Sequence, residues 1–308
     1  MSFARNALLW ISENRTLRQK LPRYAFVRRA VSRFMPGEEL ADALQAAANL
    51  REKKIGTILT RLGENVSNAA ETHEVTEHYL AALPVIQQRG LDARISVKLT
   101  QLGLDVDEEL CRQNLSALVA GAAAVGNWVW IDMEQSAYVE RTLALYRRVR
   151  TQHANVGVCL QAYLYRTKDD LAALLPIAPA IRLVKGAYRE PAAIAFPRKA
   201  QVDANFLALT EILLANVKPR GVSVGIATHD QVLIHQTQQM AEAFGLAPAD
   251  YEFQLLYGIQ TAEQLRLAAA GYRMRTLISY GSYWFPWYMR RLAERPANVL
   301  FVLKNLFS

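Results

Sequence analysis

Two adjacent arginines, Arg290 and Arg291, stand among aromatic residues in the stretch FPWYMRRLAERP. Pro286 suits the first turn of a helix, and both arginines then share one helix face with Glu294. One interpretation is a solvated face, on which an Arg290–Glu294 ion pair contributes only about 0–1 kcal/mol. The other is a clamp for an anion, because bonds from guanidinium groups to a carboxylate contribute about 1.5–3 kcal/mol each.

A second candidate for anion binding is the stretch IRLVKGAYREP. Arg182 and Lys185 bracket the end of an apolar run, and Gly186 allows the backbone to approach a ligand closely. The small Ala187 and the aromatic Tyr188 follow. This composition suits a flat anionic ligand, such as a flavin with its phosphates. An ordinary strand-to-loop turn is the alternative.

Carboxylates follow another apolar run, WVWIDME. If this run is a strand, Asp132 and Glu134 point to the same side, because side chains alternate along a strand. The pair could bind a metal or act as an acid and base, but we favour neutralisation of Lys98 or of a nearby arginine. His229 ends another run without obvious metal-binding partners. The sequence therefore predicts no metal site.

The elements that position these residues are short apolar runs alternating with longer helix-like segments. This alternation indicates parallel strands covered by helices. A doubly wound sheet is the alternative, but the sequence contains no G-x-G-x-x-G turn. We therefore predict an α/β fold, a distorted (β/α)8 barrel of the TIM type. The eight runs span residues 55–64, 94–99, 128–134, 156–163, 181–188, 223–230, 252–258 and 274–281.

The predicted organisation is an N-terminal helical arm, residues 1–50, followed by the barrel with its C-terminal helix, residues 51–308. Active sites of such barrels lie at the carboxyl ends of the strands. The helix that carries the paired arginines follows the eighth run, so it begins at this end, which favours the clamp. Polar residues gather at the same ends: Glu64, Lys98, Asp132, Glu134, Gln161, Lys185, Tyr188, Thr228, His229, Tyr257 and Tyr280.

Composition limits the class of protein. Hydrophobic residues make up 52% and charged residues 21% of the 308, as in soluble globular proteins. Two cysteines cannot build a disulfide framework, and charges near the start disfavour a secretory signal, so we expect a cytoplasmic protein. The net charge of +8 is concentrated early, at Arg5, Arg15, Arg18, Lys20, Arg23, Arg28, Arg29 and Arg33. This arm is either a solubilising face or a peripheral contact with the inner face of the cell membrane.

Six motifs in one order resemble those of the proline dehydrogenase family, namely SVKLTQLG, WIDME, LQAYLYRT, RLVKGAYRE, IATHD and WYMRRL. The resemblance extends from about residue 50 to the end and is to the monofunctional bacterial members. It implies FAD-dependent oxidation of L-proline to 1-pyrroline-5-carboxylate, by hydride transfer to flavin N5. It also implies that the electrons pass to a quinone.

The resemblance assigns residues to the substrate. Arg290 and Arg291 would clamp the proline carboxylate, with Lys98 as a third cation. Tyr188 would help to wall the pocket. Glu64 would pair with Arg290 as a gate that closes over the substrate.

The resemblance also assigns residues to the cofactor and the chemistry. Asp132 would be a catalytic-site carboxylate, and Arg182 would lie beside flavin N5 and tune hydride acceptance. The residues expected to contact FAD are Met133, Gln161, Arg182, Val184, Lys185, Gly186, Ala187, Thr228 and His229.

One position departs from the family pattern. A tyrosine usually stands four residues before the glycine of the eighth strand, where this sequence has Leu277. Leucine keeps an apolar wall against the proline ring but lacks the hydroxyl group. Oxidation of hydroxyproline or of another cyclic secondary amino acid is therefore the alternative activity.

Three other functions remain to be weighed. The paired arginines argue against a flavin barrel of the methylenetetrahydrofolate reductase kind. A Schiff-base aldolase would use Lys98 or Lys185, but both lysines have acids or phosphates as expected partners. A non-flavin basic binding protein on a barrel has only the net charge in its favour, and no nucleic-acid partner is expected. The oligomeric state stays open.

Overall fold

The computed structural model describes residues 31–63, 66–285 and 287–289 of the chain. Eight parallel strands form a closed barrel in chain order, with the eighth strand pairing with the first. The predicted barrel is therefore confirmed. The strands are β1 Gly56–Arg61, β2 Ala93–Val97, β3 Val129–Ile131, β4 Val156–Gln161, β5 Ala180–Val184, β6 Ser223–Ala227, β7 Glu252–Leu256 and β8 Arg273–Tyr280.

Helices connect consecutive strands, as parallel pairing requires. Several begin at side chains that cap the free backbone N–H groups: Asn68 accepts from Glu71, and Asp107 accepts from Leu110. The helices are α1 Leu40–Arg51, α2 Ala69–Gln88, α3 Glu108–Ala124, α4 Val139–Arg150, α5 Thr167–Leu174, α6 Lys199–Ala215, α7 Val217–Arg220, α8 Gln231–Ala243 and α9 Thr261–Ala269, with 3-10 turns at Ser136–Tyr138 and Leu175–Ile177.

Each predicted run overlaps one strand, and every strand ends before its run does. The run WVWIDME pairs only over Val129–Ile131, so Asp132 and Glu134 lie beyond the strand. The alternation assumed for these two carboxylates therefore does not extend to them. Helix α1 lies within the predicted arm and packs against β1 and β8. Residues 1–30 and 290–308 lie outside the described residues, so the predicted domain boundaries stay a prediction.

The two surfaces of the barrel differ in chemistry. Outward side chains such as Ile95, Val158 and Leu183 join the main apolar core beneath the helices. The interior is partly polar, because side chains from β2, β5 and β7 meet across it, as described below. Gly157 on β4 makes room inside, since a Cβ atom there would lie 2.4 Å from the ring of Trp130. Within the described residues, no helix is long and apolar enough to cross a bilayer.

Candidate active site

The guanidinium group of Arg182 on β5 is the centre of the polar interior, and the residue is only 3% exposed. Its Nη1 donates hydrogen bonds to Asp132 Oδ1 at 2.6 Å and to Ser96 Oγ at 3.0 Å. Its Nε donates to Gln254 Oε1 at 2.5 Å, and its carbon Cζ lies 4.8 Å from the centre of the Trp130 ring. Four residues, from β2, from β3 and its end, and from β7, therefore fix the plane of one buried cation.

Arg182 Nη2 and Gln161 Oε1 are among the buried polar atoms that lack a hydrogen-bond partner in the described part of the chain. Gln161 Nε2 donates to the backbone oxygen of Glu134 at 3.1 Å, so the amide of Gln161 is anchored through its nitrogen and not through its oxygen. A buried donor or acceptor left without a partner costs about 1–3 kcal/mol. One free donor and one free acceptor fit a ligand that offers both kinds of group, as the ring system of a flavin does.

Asp132 is shared between two cations. Besides its bond from Arg182, its Oδ2 lies 3.7 Å from Lys98 Nζ. Glu134 has a different role, because it accepts hydrogen bonds from the backbone N–H and the hydroxyl group of Thr100. The neutralisation of Lys98 or of a nearby arginine, expected of the pair, is therefore observed for Asp132. In these contacts Asp132 and Glu134 bind different partners.

Side chains tie the loops of the barrel mouth together. Glu190, after β5, accepts hydrogen bonds from the backbone N–H and the hydroxyl group of Ser136, after β3, both at 2.7 Å. Gly186 has a φ angle of +115°, and a Cβ atom there would lie 2.2 Å from the ring of Tyr163. Only glycine meets both conditions at this turn. The turn after β5, which the sequence predicts to contact a ligand, therefore packs closely against Tyr163.

Lys185 lies in a cluster of four charges. Its Nζ contacts Asp203 at 2.5 Å and Asp230 at 3.0 Å, and Lys199 contacts the same two carboxylates. Burial raises the pKa of Asp230, but the hydrogen bonds and charges of the two lysines outweigh burial and lower the pKa to about 2. Asp230 also caps α8 by accepting from the N–H of Val232.

The polar residues after β6 stabilise the rim of the site. His229 Nε2 accepts a hydrogen bond from the N–H of Leu256 at 2.9 Å, which joins this loop to β7. Because a ring nitrogen that accepts carries no proton, a neutral His229 holds its proton on Nδ1. Thr228 is buried, and its hydroxyl oxygen accepts from the N–H of Asp230.

The other predicted site residues are distributed over the mouth and the interior. Leu277 is partly buried and packs against a small cluster that contains Ile58 and Trp130. Met133 is buried, Val184 and Tyr188 are partly buried, and Ala187 is exposed. Three predicted residues lie outside the described residues: Glu64, Arg290 and Arg291.

Sequence reasoning missed four residues that build this site: Ser96, Trp130, Glu190 and Gln254. Ser96 and Trp130 each stand two positions before a predicted site residue, and this closeness in sequence was the available signal for them. Gln254 stands alone in the run EFQLLYG, two positions after Glu252. A polar residue inside an apolar strand was the available signal there.

Fold and site together define a (β/α)8 barrel enzyme with polar residues gathered at the carboxyl ends of its strands. The sequence profile of the proline dehydrogenase family matches residues 43–304. The chain is 37% identical over 304 residues to proline dehydrogenase 1 of Bacillus subtilis subsp. natto, covering 99% of each chain. It is 35% identical over 281 residues to the proline dehydrogenase of Deinococcus radiodurans, covering 90% of this chain and 89% of that protein.

Among solved structures, proline utilization A from Bdellovibrio bacteriovorus superposes with a TM-score of 0.82 at 20% identity. The match covers 94% of this chain and 38% of that longer chain, and at this identity it supports the fold alone. The sequence relatives decide the family: the chain belongs to the proline dehydrogenases, which are flavin-dependent enzymes. These relatives do not favour hydroxyproline oxidation or a non-flavin binding protein.

The charge cluster around Lys185 predicts a specific acid sensitivity. A carboxylate with a lowered pKa stabilises the fold above the pKa of the unfolded chain, and this contribution disappears as the pH falls through the folded value. For Asp230 the window runs from about pH 4 to about pH 2, and the shift corresponds to about 2 kcal/mol. We expect Asp230→Asn to lose about this much unfolding free energy at pH 7, measured by urea denaturation, and to show a flatter decline in acid.

The exposed Asp169, in the first turn of α5, is the control: the same substitution should change the stability by less than about 1 kcal/mol. If Asp230→Asn follows the wild-type decline between about pH 4 and about pH 2, the cluster does not stabilise the fold in this way.

Proposed function

We propose that this enzyme oxidises L-proline to 1-pyrroline-5-carboxylate with FAD as its flavin. The observation that carries the proposal is the buried Arg182, fixed on several sides but with its Nη2 left for a ligand. Together with the family membership, this favours a flavin at the mouth of the barrel. FAD, when bound, supplies the acceptor for the hydride that proline loses.

The residues of the chain supply position and charge. Arg182 would donate from Nη2 to the flavin ring, and Gln161 would accept at Oε1. Asp132 holds the positive charges of Arg182 and Lys98 in place, so neither cation has to reorganise when ligands bind. The other proposed FAD contacts are Met133, Val184, Lys185, Gly186, Ala187, Thr228 and His229.

The first test is the visible spectrum of the purified protein without oxygen. We expect a flavin band that bleaches when L-proline is added, and that bleaches more slowly with hydroxyproline. The extracted cofactor, identified by mass spectrometry, should be FAD rather than FMN. A flavin band unaffected by proline would contradict the substrate, and failure to bind any flavin would contradict the proposal as a whole.

The substrate carboxylate is proposed to bind Arg290 and Arg291, with Lys98 as a third cation. Two cations near one carboxylate give both affinity and a fixed orientation. Leu277 and Tyr188 would contribute the wall around the proline ring. Glu64 is proposed as the gate that pairs with Arg290.

Conservative substitution tests the clamp. We expect Arg290→Lys and Arg291→Lys each to raise the KM for proline by roughly ten- to a hundredfold, because lysine cannot form a two-point bond to a carboxylate. The amount of bound flavin should not change. Arg148→Lys, on the exposed face of α4, is the matched control. Unchanged KM values in both variants would contradict the proposal that Arg290 and Arg291 bind the substrate carboxylate.

Electrons are proposed to pass from the enzyme to a quinone at the membrane, with the protein located in the cytoplasm and bound peripherally. The basic residues of the first 33 positions support this, because each lysine or arginine near an anionic surface contributes about 1 kcal/mol.

Co-sedimentation with lipid vesicles tests the membrane contact. The protein should bind vesicles with anionic lipid at low salt, release at high salt, and ignore neutral vesicles, because the attraction is screened. A soluble quinone should reoxidise the proline-reduced enzyme. Absence of binding to anionic vesicles at low salt would exclude the electrostatic contact.

A further inference from the structure

A chain of hydrogen bonds runs along the inside of the barrel from Arg182 towards the amino ends of the strands. Gln254 Oε1 accepts from Arg182 Nε, and Gln254 Nε2 donates to Glu252 Oε1, both at 2.5 Å. Gln254 is 3% and Glu252 6% exposed. The amide of Gln254 therefore links a buried cation to a buried carboxylate.

Glu252 is itself held by two arginines. Its Oε1 accepts from Arg94 Nη1 at 3.2 Å, and its Oε2 accepts from Arg275 Nε at 3.0 Å. Arg275 also contacts Asp92 Oδ1 at 2.7 Å. A buried carboxylate between two cations has little freedom to move, so Glu252 is a fixed anchor for the amide that binds it.

The donors and acceptors of this chain permit one orientation of the amide. The Nε–H of Arg182 can only donate, and an ionised Glu252 can only accept. Gln254 must therefore turn its oxygen towards Arg182 and its nitrogen towards Glu252. The reverse orientation would set two donors and two acceptors against each other. The amide consequently fixes the Nε edge of the guanidinium group, while Asp132 and Ser96 fix Nη1.

Space for the amide is provided by the neighbouring strand. A Cβ atom at Gly225 on β6 would lie 2.5 Å from Gln254 Nε2. A Cβ atom at position 225 would force the amide nitrogen to shift, which would disturb its bond to Glu252. The amide of Gln254 thus occupies the space that a side chain at Gly225 would need, and the two residues form one structural unit.

We infer that Gln254 is a positioning residue for the reaction: anchored by Glu252, it orients Arg182 so that Nη2 faces the cofactor. This inference rests on the proposed function of Arg182 at the flavin. Gln254 does not touch the ligand in this scheme. It removes the rotational freedom that a side chain bound only through Nη1 would keep, and a displacement of about 1 Å at a reacting centre can cost up to a hundredfold in rate.

Gln264 is a matched control for a purely structural role. It is 2% exposed, and its Nε2 donates to the backbone oxygens of Leu256 at 3.0 Å and Ile259 at 2.8 Å. Its Oε1 accepts from the hydroxyl group of Thr276 at 2.5 Å. Gln264 thus anchors α9 to the outside of the barrel and has no bond to Arg182, so substituting it removes comparable bonds elsewhere.

The first experiment compares Gln254→Leu with Gln264→Leu. Both should lower the midpoint of thermal unfolding. Only Gln254→Leu should raise the FAD dissociation constant, measured by titrating the apoprotein, and lower kcat for proline, each by about tenfold, with KM changing less than kcat. If Gln254→Leu matches Gln264→Leu in FAD affinity and in kcat, the inference is overturned.

A double-mutant cycle provides a second test that does not depend on the stability of Gln254→Leu. Gly225→Ala alone should weaken FAD binding and lower kcat, because it displaces the amide. In a Gln254→Ala background the same Gly225→Ala change should have little further effect, since no amide remains to be displaced. Additive effects would overturn the inference. A failure of the proposed function can be distinguished from a failure of this inference, because the flavin band of the wild-type protein would then not bleach with proline.

Discussion

The burial of the Arg182 charge is the constraint on which the site depends. Placing a cation inside a barrel is unfavourable unless hydrogen bonds and an opposite charge replace the water it loses. Asp132 supplies the charge, Ser96 and Gln254 supply acceptors, and the face of Trp130 lies against the guanidinium group. These groups come from β2, from β3 and its end, and from β7, so the closed barrel is needed to bring them to Arg182 on β5.

The remaining architecture follows from making room for these groups. Large side chains pack against glycines across the interior: Trp130 lies against Gly157, and Gln254 lies against Gly225. At the mouth, Glu190 joins the loops after β5 and β3, and Gly186 lets the β5 loop contact Tyr163. The same strands that pack outward into an apolar core therefore carry a rigid polar interior, which suits a site that must not reorganise during reaction.

The fold could be predicted from the sequence because every strand is an apolar run followed by a helix-like segment, and each is recognisable alone. Lys185 and Asp132 could also be predicted, since charges directly after buried strands are unusual, and so could Arg182, a charge inside the apolar strand β5. The residues that bind these charged side chains could not be predicted. Arg182 and Gln254 are 72 positions apart, and nothing in the run EFQLLYG says which interior group its glutamine meets. The pairing of Asp132 with Glu134 failed because β3 stops at Ile131, and apolar content does not mark where a ladder of hydrogen bonds ends.

The hydrogen bonds from Arg275 through Glu252 and Gln254 to Arg182 have a fixed order of donors and acceptors. This order has a consequence for sequence evolution and for protein engineering. Glu252, Gln254 and Gly225 make sense only as a set, because a change in one leaves the others with a misdirected or crowded group. Such positions should be exchanged together among related sequences, and a designer who transfers the arginine to another scaffold should transfer all three.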